Sequence, residues 1–267
     1  MHSSPASPPI LRDKDALEPS VFLPESLLRE ARRQRDLPDG NVPRVCVLDP
    51  DGDLRAYLLA SGRAARSATW ACYHTELFEF TSEGLELGIV ACAVGAPFAV
   101  LVAEELFVSG CELLLSVTSS GQLARVAAPP YFVLIDEALR DEGTSYHYLP
   151  PAETVRADEG LLEAAELALK ATGLTVLRGA TWTTDAPFRE TERLIAARTA
   201  EGLLAVEMEA AALYAFARAR RRAVLCFAHV TNQMARVEGD FEKGARGGAL
   251  DALALVTATA RACLAAR

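Results

Sequence analysis

The stretch GAPFAVLVAEELFVSGCELLLSVTSSG, residues 95–121, decides the fold. Gly95-Ala96-Pro97 punctuates the chain and launches a helix over about 98–108, because a proline in the first turn lacks an amide proton that would have no partner there anyway. Gly110 closes this helix. The unbroken apolar run 111–117 then reads as a buried strand that delivers Thr118-Ser119-Ser120-Gly121 at its end. A second apolar strand, 85–94, precedes the helix, and strand, helix, strand at this spacing requires a parallel crossover.

The same alternation extends in both directions. Upstream, residues 44–48 form a first strand that ends in the turn cluster Asp49-Pro50-Asp51-Gly52-Asp53, and 69–80 reads as a further strand. Downstream come a helix over 160–171, a strand over 174–180, helices over 189–200 and 209–220, a strand over 223–230 and a final helix over 247–266. The expectation is a single-domain α/β fold with a mostly parallel central sheet covered by helices on both faces. In such folds ligands gather at the carboxyl ends of the strands. The apolar segment 131–135 is assigned to a subunit interface.

Residues 24–35 form a short amphipathic helix broken by Leu37-Pro38-Asp39-Gly40, so 1–40 is read as an N-terminal extension and 41–267 as the catalytic domain. The opening MHSSPASPP is rich in Ser and Pro, has no apolar leader region and reads as disordered. No apolar run is judged to reach the ~18 residues of a membrane span, which points to a cytoplasmic protein without membrane partners.

A formal net charge of −9 argues against a nucleic-acid surface, since a phosphate-backbone binder needs a basic stripe. Six cysteines are widely spaced, mostly inside apolar runs such as Val45-Cys46-Val47, and read as buried thiols in a reducing compartment. Neither a Cys-x-x-Cys pair nor a Cys/His cluster has ligand spacing, so no metal site is expected.

The chemistry concentrates in LAVEMEAAALY, residues 204–214, where two carboxylates flank a methionine as a strand turns into a helix. Glu209 there can complement the helix dipole. It can equally accept hydrogen bonds from two vicinal hydroxyls of a sugar while the thioether of Met208 packs on the ring face.

With Glu207-Met208-Glu209-Ala210-Ala211, the sequence resembles the nucleoside phosphorylases of the purine nucleoside and uridine phosphorylase type and their nucleosidase relatives. Three more segments match in order: 93–97 leading to Glu104-Glu105-Leu106, 140–148, and 183–188. The likeness covers roughly residues 40–265. It implies a ribose site made by Glu207, Met208 and Glu209, with Met208 on the sugar and Glu209 on its 2′ and 3′ hydroxyls. It places Asn232 at the leaving base, where purine-cleaving members carry an aspartate, and an amide can only hydrogen-bond where an acid protonates. The base is therefore expected to be a pyrimidine, as in uridine phosphorylases, with Phe188, Thr191 and Arg193 around it; Thr191 stands where the family has a glutamine.

The family's phosphate site is altered. Arg55, Gly95, Ser116 and Ser119 are its counterparts here, with Ser116 where an arginine belongs and acids in the first turn. The arginine lent by a neighbouring subunit falls on Thr75, with Arg63 and Arg66 close by, and His147 is placed to lie over a neighbour's pocket. The resemblance implies phosphorolysis of a nucleoside to free base and ribose 1-phosphate, with phosphate as co-substrate, no cofactor and a homo-oligomer, a dimer or a hexamer of dimers. Two alternatives stay open: a nucleosidase that uses water, and a catalytically silent nucleoside binder.

Overall fold

β1 (Val45–Asp49) is buried at all five positions and lies between two parallel neighbours, β4 (Leu85–Ala91) and β5 (Leu113–Gln122), with Val47 opposite both Ile89 and Leu115. A strand covered on both faces has no reason to alternate, and VCVLD does not. This is a computed structural model, and it describes residues 8–16, 18–234 and 238–266; the Ser/Pro-rich start lies mostly outside the described residues.

From β5 the sheet continues through β10 (Ala223–Asn232), parallel to it, to β6 (Tyr131–Asp141), antiparallel to β10. β6 runs parallel to β8 (Val176–Thr184), β8 parallel to β9 (Ala205–Glu207), and β9 returns antiparallel to β5. These five strands close into a ring. Beyond β4 the sheet ends in β3 (Leu77–Ser82) and β2 (Ala64–Arg66), both antiparallel, and β7 (Thr154–Arg156) pairs with β6. The β3–β4 connection is a tight hairpin in which Glu83 and Gly84 both take positive φ, 48° and 80°, the turn whose twist suits a hairpin. Among the described residues, parallel and antiparallel strand pairings are equal in number but the parallel ladders are the longer, so the sheet is mostly parallel as expected, with a substantial antiparallel part added. The hairpin and the ring closure are the two causes of that part.

Helices cover both faces. α3 (Ala96–Val108) and α6 (Ala210–Arg220) pack on one, and α2 (Asp53–Ala60), α4 (Glu159–Leu169) and α7 (Ala249–Ala265) on the other. α6 is buried from Ala210 to Ala217, and its five alanines in that stretch let it sit close to the sheet. α5 (Glu192–Ala200) stands apart and closes a small cluster of Trp182, Leu203 and Leu123 through Leu194 and Ile195. α1 (Pro24–Arg35) has the bounds its periodicity predicts; Leu28 and Ala31 pack on Ala71 and Val108, and Arg35 donates to the Cys72 carbonyl at 2.8 Å.

Several expectations need correcting. Residues 131–135 are not an interface but the start of β6, fully inside the ring. Residues 69–76 form no strand; Trp70 turns there to donate from its indole N–H to Thr75 Oγ1 at 3.0 Å. Five cysteines are buried as expected, while Cys92 is exposed with φ 63°. Residues Ala245–Ala265, a short 3-10 turn continued by α7, are long and apolar enough to cross a bilayer, with mean hydropathy 1.4, contrary to the reading that no such run exists. Here α7 packs against α2, α4 and β5 as a core helix.

Candidate active site

Glu207 ends β9 with both oxygens engaged. Oε1 accepts from the hydroxyls of Thr181 (3.2 Å) and Thr183 (2.5 Å), and Oε2 from the amides of Glu209 and Ala210, each at 2.7 Å. Thr183 Oγ1 in turn accepts from the Ala211 amide at 2.9 Å. Glu207 thus satisfies the first amides of α6, which a helix leaves unpaired. Burial pushes its pKa up, and those donors oppose the shift. Expected to bind ribose, Glu207 instead spends its four contacts on holding the turn that presents Glu209.

Glu209 is the N-cap of α6 and 1 % exposed. Its Oε1 accepts from the Gly95 amide at 2.7 Å, and its Oε2 is buried with no partner among the described residues. Burial, and then the nearby Glu207 charge, push its pKa to about 8, against the lowering effect of the Gly95 amide and the Thr118 hydroxyl. Gly95, with φ 89°, is the N-cap of α3, which starts two residues earlier than expected, and its amide, expected at the phosphate, is used for Glu209. Met208 is half-buried beside it. Ser116, Thr118 and Ser120 alternate on the face of β5 that carries α3 and α6, and the hydroxyls of Ser116 and Ser120 are also buried without partners among the described residues. Orphaned polar atoms are rare in folded interiors and call for an explanation.

On the opposite face the turn after β1 is pinned by Asp49, which accepts from the Gly52 amide (3.2 Å) and the Arg55 amide (2.9 Å). Burial raises the Asp49 pKa to about 6. At the tip, Asp51 Oδ2 accepts from the Ser119 amide at 2.6 Å, and Lys243 Nζ lies 3.4 Å from Asp51 and 2.5 Å from Asp53. The Ser119 hydroxyl meets Thr231 Oγ1 at 2.7 Å. The Arg55 guanidinium lies 3.7 Å from Cys92 Sγ, and its Nε has no partner among the described residues. His229 lines the same small cavity as the three aspartates, stacked on Phe132 with ring centroids 4.5 Å apart, and burial lowers its pKa to about 4.

Asn232 ends β10, 8 % exposed. Its Nδ2 donates to the Ser120 carbonyl (3.4 Å) and Thr231 Oγ1 (3.2 Å), and its Oδ1 accepts from the Met234 amide at 2.9 Å. Gly121 lies beside it, and a Cβ there would stand 2.5 Å from Met234 Sδ and push that side chain aside. A cavity of about 640 Å³ opens alongside, lined by Gln122, Arg125, Glu192, Ile195, Gln233 and Met234 among others. The residues expected around the base do not line it. Phe188 is fully exposed, Thr191 caps α5 by accepting from the Leu194 amide at 3.3 Å, and Arg193 is exposed. Within one chain these three therefore do not converge with Asn232.

The remaining expectations concern a neighbour's pocket. Thr75 is tied to Trp70, Arg66 pairs with Glu76 at 3.1 Å, and His147 Nδ1 meets Lys14 of this chain's own N-terminal arm at 2.5 Å.

The sequence model of the phosphorylase superfamily matches residues 44–261. The chain belongs to this family. A guanosine phosphorylase of Halorubrum lacusprofundi is 28 % identical over 146 residues, which is 54 % of this chain and 61 % of that relative. The match thus spans less than two thirds of the relative's length. Two structures of uridine phosphorylase from Vibrio fischeri ES114 share the fold, one with a TM-score of 0.68 at 23 % identity over 84 % of this chain and 93 % of that one. The other, complexed with 6-hydroxy-1-naphthoic acid, gives 0.64 at 22 % over 85 % and 90 %.

Within this phosphorylase-superfamily chain the ends of β1, β5, β9 and β10 carry three groups of atoms: the anchored Glu209 carboxyl, the Asn232 amide, and an acidic turn bridged by a lysine. Sequence reading missed Lys243 and the Asp51–Ser119 contact, for which separations of 192 and 68 residues leave no local signal. It also missed Thr181 and Thr183 as supports of Glu207, although Thr183 opens one of the matched segments.

Proposed function

We propose that this protein cleaves the N-glycosidic bond of a nucleoside with inorganic phosphate, giving free base and ribose 1-phosphate. The observation that carries the reading is the Glu209 carboxyl, fixed through Oε1 by Gly95, with Oε2 buried without a hydrogen-bond partner among the described residues and half-buried Met208 next to it in sequence. One bound oxygen sets the orientation, and the other is left to accept from sugar hydroxyls. As the glycosidic bond breaks, positive charge builds on the ribose. An ionised Glu209 in a buried setting stabilises that charge more than water does. Asn232 hydrogen-bonds the departing base without protonating it, which favours a pyrimidine. The relatives are named for guanosine and uridine, so both base classes belong in the assay.

Water as the nucleophile is the second reading, favoured because Asp51 occupies the Ser119 amide and a serine, Ser116, stands where the family has an arginine. The test is to incubate the protein with uridine and guanosine, with and without phosphate, and to identify the sugar. Phosphate-dependent ribose 1-phosphate supports phosphorolysis, free ribose formed without phosphate supports hydrolysis, and binding without base release overturns both.

A further inference from the structure

Asp51, at the tip of the acidic turn, faces Ser119, which lies within β5 beyond the end of β1. The Ser119 amide is a donor at the strand end where a phosphate oxygen would be held, and its partner is already in place: Asp51 Oδ2 at 2.6 Å, an unusually short contact for N–H to oxygen. Asp51 Oδ1 takes Lys243 Nζ at 3.4 Å. A carboxylate held by a backbone amide and an ammonium presents two oxygens in the way a phosphate does. The rest of the turn is built to hold it there. Asp49 fixes the turn from behind through the Gly52 and Arg55 amides, and Gly52, with φ 81°, starts α2 immediately after the tip. Lys243 spans Asp51 and Asp53, so its charge is balanced within the chain. Arg55 is turned to Cys92, whose sulfur its guanidinium meets at 3.7 Å, and its Nε has no partner among the described residues.

We propose that the Asp51 carboxylate is an internal occupant of the anion site, and that inorganic phosphate binds only by displacing it from the Ser119 amide and Lys243, so that Asp51 sets the choice between phosphate and water. The inference rests on the reading of this turn as the nucleophile side of a nucleoside-cleaving site. A phosphate that arrived with Asp51 still in place would meet Asp49, Asp51 and Asp53 without the amide that should offset them. Once Asp51 swings out, the same amide and Lys243 face the ligand together.

The experiment titrates inorganic phosphate into the full chain, without nucleoside, by calorimetry and phosphorus NMR. Wild type is compared with Asp51→Ala, Asp51→Asn and Asp53→Asn, after thermal melts confirm that each variant folds. Asp51→Ala removes both the charge and the occupant and should bind phosphate on the order of tenfold or more tighter than wild type, the scale of one charge-assisted bond regained. Asp51→Asn keeps an oxygen for the Ser119 amide and should gain less than Asp51→Ala. Asp53→Asn removes an equal charge from the same turn while leaving the amide occupied, and should also gain less. Affinity in Asp51→Ala equal to or weaker than wild type, or equal gains in all three variants, overturns the proposal. Because phosphate binding is read without nucleoside, its failure is separable from that of the functional reading. Base release with no phosphate gain in Asp51→Ala removes this inference alone, and a phosphate gain with no base release removes the functional reading alone.

Discussion

The amide of Gly95 donates to Oε1 of Glu209 at 2.7 Å and joins the N-terminus of α3 to the N-terminus of α6 across 114 residues of sequence. Two helix N-termini therefore bear on one carboxyl, a setting that favours the ionised form. The pKa nevertheless lies at about 8, above the ordinary 4.5, so burial and the neighbouring Glu207 outweigh the two dipoles and the amide. The free site holds Glu209 mostly protonated at neutral pH.

From this follows a pH profile. If the ionised carboxyl is the form that grips ribose hydroxyls, kcat/KM for the nucleoside should rise about tenfold from pH 7 to pH 9 as Glu209 ionises, with a plateau above. Nucleoside binding at pH 7 should release protons, seen as a buffer-dependent binding enthalpy. Glu209→Gln should lose the slope and the proton release along with most of the activity. A flat wild-type profile between pH 7 and 9 contradicts this role.

The same shift has a consequence for stability, with a definite sign. The folded-state pKa is raised, so the folded chain takes up the Glu209 proton between about pH 4.5 and 8, and ionising it in the folded state costs stability as pH rises through 8. Gln keeps an oxygen for the Gly95 amide and cannot ionise. Glu209→Gln should therefore raise the melting temperature relative to wild type at pH 9 and do so less at pH 6. A difference that does not depend on pH contradicts the assignment.

Glu207 should behave in the opposite way, as a structural carboxylate. Glu207→Ala strands two hydroxyls and two amides in the interior, and at about 1–3 kcal/mol for each unsatisfied group the loss should exceed about 3 kcal/mol. Urea denaturation measures it. A loss below about 1 kcal/mol would mean that the turn does not depend on these bonds.

Asn232 tests the base preference. Asn232→Asp puts a carboxyl against the Ser120 carbonyl at a buried strand end, where burial raises its pKa and keeps it protonated, able to act as an acid toward a purine. The ratio of guanosine to uridine cleavage should rise by about tenfold or more, read from initial rates of base release. An unchanged ratio removes the leaving-base argument.

How far the sequence leads depends on whether structure is local. The bounds of α1, the α3 crossover launched at Gly95-Ala96-Pro97 and the Glu207–Glu209 turn were all legible, because punctuation and periodicity act within a few residues. β6 was not: Tyr131–Asp141 is apolar at its start and mixed at its end, and only the ring closure makes it central. The antiparallel part of the sheet escaped for the same reason, since strand order is fixed by pairings between distant segments. In the site, Glu209 stands where β9 turns into α6 and Asn232 at the end of β10, as expected, whereas Phe188 and Arg193 lie on the surface. Carrying positions over by spacing alone assumes that the loop before α5 keeps its course, and here Thr191 is used to cap that helix.

The most direct test of the central claim is base release from uridine and guanosine by wild type and by Glu209→Ala, with phosphate present and variant folding verified. Wild type should release base, and the variant should lose at least about a hundredfold in kcat/KM, the scale of two charge-assisted bonds to the sugar. Equal rates in the two proteins, or no release by wild type from either nucleoside, would contradict it.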